Sequence, residues 1–199
     1  VYALHLVTGV LGPAKRVAAL SGIGLVHREF LGKEVKVEMD DNTVMLLDFG
    51  DATFAMLHSS FCSGDGEPFS RLHVAGSEGA LELGHGKLEV WGSRVEGWHR
   101  VEKLARGLPY VSGVHMELEE AHIFSDIMHL IDCIENGKTP AISGEHARHV
   151  VEIIERAYIS ARGSAAQELS SAFPSGAPNE WRMTGLARPS RAIEKATPR

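Results

Sequence analysis

VEMDDNTVMLLDFGDATFAMLHSSF, residues 37–61, holds two apolar runs, VMLL (44–47) and FAML (54–57), on either side of Gly50-Asp51. Such a short link joins neighbouring strands in antiparallel pairing. An antiparallel sheet with one solvated face alternates apolar and polar residues, whereas these runs are apolar on both faces of the pleat. The stretch therefore predicts two central antiparallel strands that are covered on both faces.

Further short extended runs occupy most of the chain between Lys15 and Val90, and turn residues separate them. They are KRVAALSG, EVKVEM, SRLHVAG, GALEL and KLEVW, with RVEGWHRVEKL (94–104) as one more candidate. Because the links between them are short, we expect hairpins and a mostly antiparallel sheet.

Three helices accompany the predicted strands. The first covers residues 1–11, and the second covers about 115–136 and ends at Gly137. The third begins at Ser143, a suitable N-cap, and ends at Gly163. Its predicted buried face is an apolar stripe at helical spacing: Ala147, Val150, Val151, Ile154, Ala157, Tyr158 and Ala161. These helices can cover one face of the sheet, so the other face points to a second subunit.

Composition and charge narrow the class of protein. The net charge is −6, which disfavours nucleic acid or an anionic membrane as the main partner. No apolar run approaches the roughly 20 residues of a membrane-spanning helix. Cys62 and Cys133 are the only cysteines, and we interpret them as reduced, mostly buried thiols. These features predict a cytoplasmic globular protein.

Several common catalytic motifs do not occur in the sequence. SGIGLVH (21–27) lacks the third glycine of a dinucleotide-binding loop, and GSEGAL (76–81) lies between two predicted strands. There is no nucleophile elbow and no paired-cysteine metal site. The residues alone therefore do not indicate which cofactor is used.

Two pairs of histidines share helix faces. His146 and His149 are three residues apart in EHARHVVE, and His122 and His129 are seven apart on the second helix. Metal binding is one interpretation of each pair. The more ordinary one is a cap or surface role for His146 and His149, and packing for His122 and His129.

Tyr2 and His5 lie on one face of the first helix, because residues three apart in a helix are neighbours. A tyrosine hydroxyl can act as a general acid when a nearby cation favours its ionised form. Alternatively, Tyr2 ends an apolar face and His5 makes an ordinary polar contact. Spacing alone leaves both interpretations open.

Four stretches together resemble the C-terminal region of the Gfo/Idh/MocA oxidoreductases, the relatives of glucose–fructose oxidoreductase and inositol dehydrogenase. They are VYALHLVTGVLGP (1–13), residues 37–61, LHVAGSEGALEL (72–83) and DCIENGKTPAISGEHARHVVEIIERAYISARG (132–163). The resemblance extends over residues 1 to about 173, and the order of the elements also matches.

The resemblance implies an α+β domain with a large open, mostly antiparallel sheet, which packs helices on one face and offers the other for dimerisation. It implies hydride transfer between NAD or NADP and a sugar, polyol or related small molecule. In this family a separate N-terminal Rossmann domain binds the nucleotide. We therefore expect no cofactor to bind to this chain alone, and we expect a homodimer through the sheet face.

The resemblance also assigns three site residues. Tyr2 falls at a position that is His or Tyr in the family, and we expect it to relay the substrate proton. His5 falls where Asp is frequent, and we expect it to bind a substrate hydroxyl or to take part in the proton relay. His115 is expected to line the pocket, with a helix-start residue as the alternative. In the family an Asp and a Gly precede the His-or-Tyr position, and a Glu-Lys-Pro motif lies in the Rossmann domain, so we expect all of these in a domain that precedes Val1.

The expected domain organisation follows. Residues 1–173 form the C-terminal substrate-binding and dimerisation domain, and residues 174–199 form a disordered tail with net positive charge. As an alternative function, the chain is a non-catalytic dimeric binding or scaffold domain that has lost its nucleotide-binding domain.

Overall fold

The computed structural model describes residues 1–62, 72–84, 87–92, 99–100 and 108–174. It is an α+β fold, as predicted. The elements in chain order are α1 (Tyr2–Leu11), β1 (Arg16–Gly22), β2 (His27–Phe30), β3 (Lys33–Lys36), β4 (Asn42–Gly50), β5 (Thr53–Ser60), β6 (Leu72–Gly76), β7 (Gly79–Gly84), β8 (Lys87–Gly92), β9 (His99–Arg100), a 3₁₀ helix (Gly113–Glu117), α2 (Ala121–Asn136), α3 (Gly144–Gly163) and β10 (Gln167–Glu168).

The quoted stretch forms the centre of the main sheet. β4 and β5 pair antiparallel across the turn that follows Gly50, which confirms the predicted hairpin. The sheet has the strand order β10-β1-β4-β5, and Val17 of β1 lies opposite Leu47 of β4. The turn needs left-handed backbone, which Gly50, Asp51 and Ala52 adopt with φ of 87°, 51° and 58°.

The remaining strands form a β2–β3 hairpin and a second four-stranded sheet with the order β6-β7-β8-β9. Every pairing among the described strands is antiparallel, as the short links predicted. β2 and β10 were not predicted. Of the candidate strand 94–104, β9 is described and the rest lies outside the described residues.

The core lies between the main sheet and the helices. α3 packs across β1, and α1 packs against α3 and β5. Val17, Leu47 and Ile153 are at most 1% exposed at its centre. Burying a side chain of this size stabilises a fold by about 1.5–3 kcal/mol, so this layer fixes α1 and α3 on the sheet.

The other face of the main sheet is apolar and exposed. Leu46 pairs with Met56 across the strands, and Leu20 and Phe54 lie on the same face. These four side chains are between 55% and 73% exposed. Within the described chain, the helices thus cover one face of the two-sided apolar strands.

The buried face of α3 differs from the predicted stripe. The buried residues are His146, His149, Val150, Ile153, Ala157 and Ser160. Of these, only Val150 and Ala157 were predicted, whereas Val151, which was also predicted, is 64% exposed. The prediction was wrong because it counted apolar residues alone. The hydrogen-bonded His146, His149 and Ser160 belong to the buried face, which turns that face from Val151 and Ile154 towards Val150 and Ile153.

α2 begins later than predicted. His115 lies in the 3₁₀ helix, and Leu118 has extended backbone with φ −68° and ψ 130°, so α2 starts only at Ala121. The predicted end is confirmed, since Gly137 adopts the left-handed conformation with φ 61°. The helix presents an apolar row to solvent that includes Ile134. None of the described helices combines the length and apolarity that crossing a bilayer requires.

Asp41 anchors the β2–β3 hairpin to the sheet. Its buried carboxylate accepts hydrogen bonds from the backbone N–H groups of Gly24 (2.6 Å) and Leu25 (3.3 Å), and it forms an ion pair with Arg28. The Gly24 bond, helped by Arg28 and Leu25 against the effect of burial, lowers the pKa of Asp41. Asp41 is therefore a buried structural anion.

Two remaining predictions concern the cysteines and the C-terminal tail. Cys62 and Cys133 are both free thiols, and Cys133 is buried. Pro174 is the last described residue. Residues 175–199, where a disordered tail was predicted, lie outside the described residues.

Candidate active site

Tyr2 and His5 lie together in the first turn of α1, as their spacing predicted. The Tyr2 side chain is 74% exposed. His5 is half-buried, and its Nδ1 lies 3.3 Å from the carbonyl oxygen of Val1. This turn therefore offers one phenol and one imidazole at the surface of the domain.

A buried polar pair lies beneath this turn. Thr8 is fully buried; its hydroxyl donates to the carbonyl oxygen of Leu4 (2.6 Å) and lies 2.7 Å from Nε2 of His146. The His146 ring centroid is 5.1 Å from that of His5. The start of α1 is thus connected through Thr8 and His146 to the start of α3.

His149, one turn further along α3, connects two loops. Its Nε2 accepts a hydrogen bond from the backbone N–H of Ala14 (3.0 Å), so the ring proton is on Nδ1. Nδ1 lies 3.0 Å from Ser171 Oγ and donates to it. Because His149 is fully buried, every polar atom of its ring needs a partner, and these two bonds supply them.

Glu152 continues this chain of hydrogen bonds. Its carboxylate accepts from the backbone N–H and the hydroxyl of both Ser170 and Ser171. Burial would raise the pKa of Glu152, but these four bonds outweigh burial and lower the pKa to about 2. The carboxylate therefore holds the segment after β10 against α3.

Burial lowers the pKa of both histidines of α3. It lowers the pKa of His146, which the neighbouring His5 and His149 lower further. It also lowers the pKa of His149, although Ser171 and Glu152 act in the opposite direction. A surface role for these histidines was therefore the wrong prediction. The position of His149 directly beside Val150 of the apolar stripe could have indicated from the sequence that these histidines are buried.

The histidines do not form a metal centre in the described part of the chain. No group of three or more His, Cys, Asp or Glu side chains is placed there to hold an ion. His122 contacts Glu120, and Nε2 of His129 accepts a hydrogen bond from the backbone of Ala141 (3.1 Å). These contacts give His129 a packing role and leave metal binding without support.

His115 lies on a different element from Tyr2 and His5. It is exposed in the 3₁₀ helix, and its ring stacks on Phe124 of α2 with a centroid distance of 4.4 Å. Its described contact is thus with α2 rather than α1. Its role in a pocket stays a prediction.

Two glycine pairs in the described part of the chain do not form a cradle for a pyrophosphate. Gly22 and Gly24 lie between β1 and β2, and Gly76 and Gly79 close the β6–β7 hairpin. A nucleotide phosphate is bound where a glycine turn opens a helix and presents free N–H groups. Because neither pair opens a helix, these residues do not fit a dinucleotide.

The family model described as "Oxidoreductase family, C-terminal alpha/beta domain" (Gfo/Idh/MocA) matches residues 1–169. The chain belongs to the Gfo/Idh/MocA oxidoreductase family. This confirms the resemblance of the quoted stretches. Among curated proteins, none matches this Gfo/Idh/MocA chain.

Solved structures share the fold of this Gfo/Idh/MocA domain. An oxidoreductase from Agrobacterium radiobacter, in complex with NAD+, L-tartaric acid and magnesium, is 20% identical over 84% of this chain, with a TM-score of 0.64. A levoglucosan dehydrogenase with NADH and L-sorbose is 16% identical over 80%, with a TM-score of 0.65. An aldose-aldose oxidoreductase from Caulobacter crescentus with glycerol is 18% identical over 84%, with a TM-score of 0.62.

The match covers only part of each of these proteins. This chain spans 46% of the Agrobacterium protein and 45% of each of the other two. At these identities the likeness is one of fold. The family model and the solved structures together identify the family and the domain of this chain.

Proposed function

We propose that this chain is the substrate-binding and oligomerisation half of an NAD(P)-dependent oxidoreductase that acts on a sugar, polyol or related small molecule. One observation carries the proposal. Tyr2 is exposed beside His5 in the first turn of α1, and Thr8 of the same helix is hydrogen-bonded to the buried His146. The family supports the proposal, and so do the NAD+ complex of the Agrobacterium protein and the NADH complex of levoglucosan dehydrogenase.

In this proposal the chain's residues handle the proton and the orientation of the substrate. A bound nicotinamide would supply a hydride acceptor for the carbon that bears the substrate hydroxyl. Tyr2 Oη relays the proton of that hydroxyl: it accepts this proton as the phenol's own proton passes to solvent, which leaves a carbonyl group on the substrate. His5 binds a neighbouring hydroxyl, and His115 lines the pocket. Since the glycine pairs do not fit a dinucleotide, we place the nucleotide on another domain of the protein, and the reduced thiols favour a cytoplasmic location.

Turnover of nicotinamide by the whole gene product tests this proposal. We expect reduction of NAD+ or NADP+ with at least one sugar or polyol, followed at 340 nm. Tyr2→Phe is expected to lower kcat by about 10²-fold or more, the size of a lost proton-transfer group. Arg148→Gln, an exposed change on α3, serves as the control. The 199-residue chain alone is expected to be inactive. Full activity of Tyr2→Phe would contradict the assignment.

We also propose that the exposed face of the main sheet forms a homodimer. Leu20, Leu46, Phe54 and Met56 make a continuous apolar patch, and a stable interface of this kind buries about 1,600 Å² or more. Met56→Lys is expected to give a monomer in light scattering. Ile134→Lys on α2 is the matched control, because both side chains are 73% exposed. A dimer that survives Met56→Lys would exclude this face.

The same patch favours a second candidate function, a non-catalytic dimeric binding or scaffold domain. Dimerisation through the sheet needs neither a nucleotide nor Tyr2. A gene product that is dimeric, folded and inactive with every nicotinamide and polyol combination would support this candidate. Turnover that depends on Tyr2 would exclude it.

A further inference from the structure

The first turn of α1 carries Tyr2 and His5, and its buried residue is Leu4. Functional side chains need a backbone that is held in one position. A contact from another element that holds this turn would therefore position both Tyr2 and His5.

The hydrogen bonds of Thr8 identify that contact. The Thr8 hydroxyl has one proton, which it donates to the Leu4 carbonyl oxygen at 2.6 Å. At 2.7 Å from Nε2 of His146, the same oxygen must then accept, so His146 donates from Nε2–H. A side chain of α3 thus supports a carbonyl in the first turn of α1.

His146 is itself held rigidly. Its ring stacks on Phe173 with a centroid distance of 4.0 Å and an angle of 14°. Its backbone N–H donates to the N-cap Ser143, and the side chain is 3% exposed. A donor whose ring and backbone are both fixed can set the position of the group that it binds.

We infer that His146 is a positioning residue for Tyr2 and His5, and this inference rests on the proposed function. The Leu4 carbonyl belongs to the same peptide unit as the His5 nitrogen. The chain of bonds from His146 through Thr8 to Leu4 therefore fixes the direction in which Tyr2 and His5 project. His146 does not touch the substrate in this arrangement; it acts through Thr8 and through its contact with the His5 ring.

Three variants separate positioning from general stability. His146→Gln keeps an N–H donor near the Nε2 position, His146→Leu removes it, and Thr8→Val removes both bonds at constant shape. We expect 15N NMR of the wild-type ring to show a proton on Nε2 and none on Nδ1. The His5 amide, which donates to Val1 at 3.0 Å, is expected to exchange about tenfold faster in the Leu and Val variants. His146→Gln and Arg148→Gln should match the wild type.

Turnover of the whole gene product gives the second measurement. A displaced first turn is expected to lower kcat by about 10- to 100-fold in His146→Leu with little change in KM, whereas His146→Gln retains most of the rate. A proton on Nδ1, or equal behaviour of the Gln and Leu variants, would overturn the inference. If the wild type shows no turnover, the proposed function fails, and the NMR and exchange data still decide the role of His146.

Discussion

The charge on Glu152 is expected to stabilise the fold, and Glu152→Gln tests this directly. Four hydrogen bonds from Ser170 and Ser171 lower the pKa of this carboxyl from 4.5 to about 2. At about 1.4 kcal/mol per pKa unit, this shift limits the contribution of the charge to the free energy of unfolding to about 3 kcal/mol. Solvent screens the partly exposed carboxylate, which leaves about 2 kcal/mol, or a Tm lowered by about 4–8 °C in a domain of this size.

The pH dependence of this loss identifies its cause. Because the pKa of Glu152 is lower in the folded protein than in the unfolded chain, its contribution is complete above pH 4.5 and is lost as the pH falls towards 2. Urea unfolding at pH 7 and pH 3 should show the difference between wild type and variant shrinking by more than half. Glu155→Gln, at an exposed position on α3, is the control. A difference that is equal at both pH values would refute the role of the charge.

Three further changes test the core, the hairpin anchor and the buried histidine. Ile153→Ala is expected to lower the free energy of unfolding by about 2–4 kcal/mol in urea, because it leaves a cavity under α3; a loss below about 1 kcal/mol would contradict this. Asp41→Asn is expected to lower the free energy of unfolding by about 2–4 kcal/mol and to speed hydrogen exchange of the Gly24 amide, because Arg28 loses its charged partner. An unchanged exchange rate of this amide would argue against Asp41 as the anchor. The pKa of His149 is lowered in the folded protein, so the free energy of unfolding should fall as the pH drops below about 6.5. His149→Gln should make this fall with pH less steep. An equally steep fall in the variant would contradict the burial of His149 as its cause.

Local signals in the sequence predicted most of the elements correctly. The paired apolar runs of residues 37–61 correctly predicted β4 and β5. Gly137 correctly predicted the end of α2, and Ser143 the start of α3. Each depends on residues that are close in sequence, such as a cap or a turn. Such features are visible without knowledge of the tertiary structure.

The buried polar network was not predictable in the same way. His149 is a core residue only because Ala14 and Ser171, which are distant in sequence, satisfy its ring. No local pattern indicates that Asp41 is buried, because its partner Arg28 lies on a different strand at no fixed spacing from it. A pattern of apolar residues contains no information on these partners, so it placed the buried face of α3 incorrectly.

The pairing of β10 with β1 has a consequence for synthesis on the ribosome. The backbone N–H of Leu169 donates to the Lys15 carbonyl oxygen, so the edge of the main sheet is completed by residues made about 150 positions later. At about 5–20 residues per second, the nascent chain exposes the side of α1 that α3 covers for roughly 8 to 30 s. During that interval β5 is the described element that packs on α1, and the uncovered apolar side is available to chaperones.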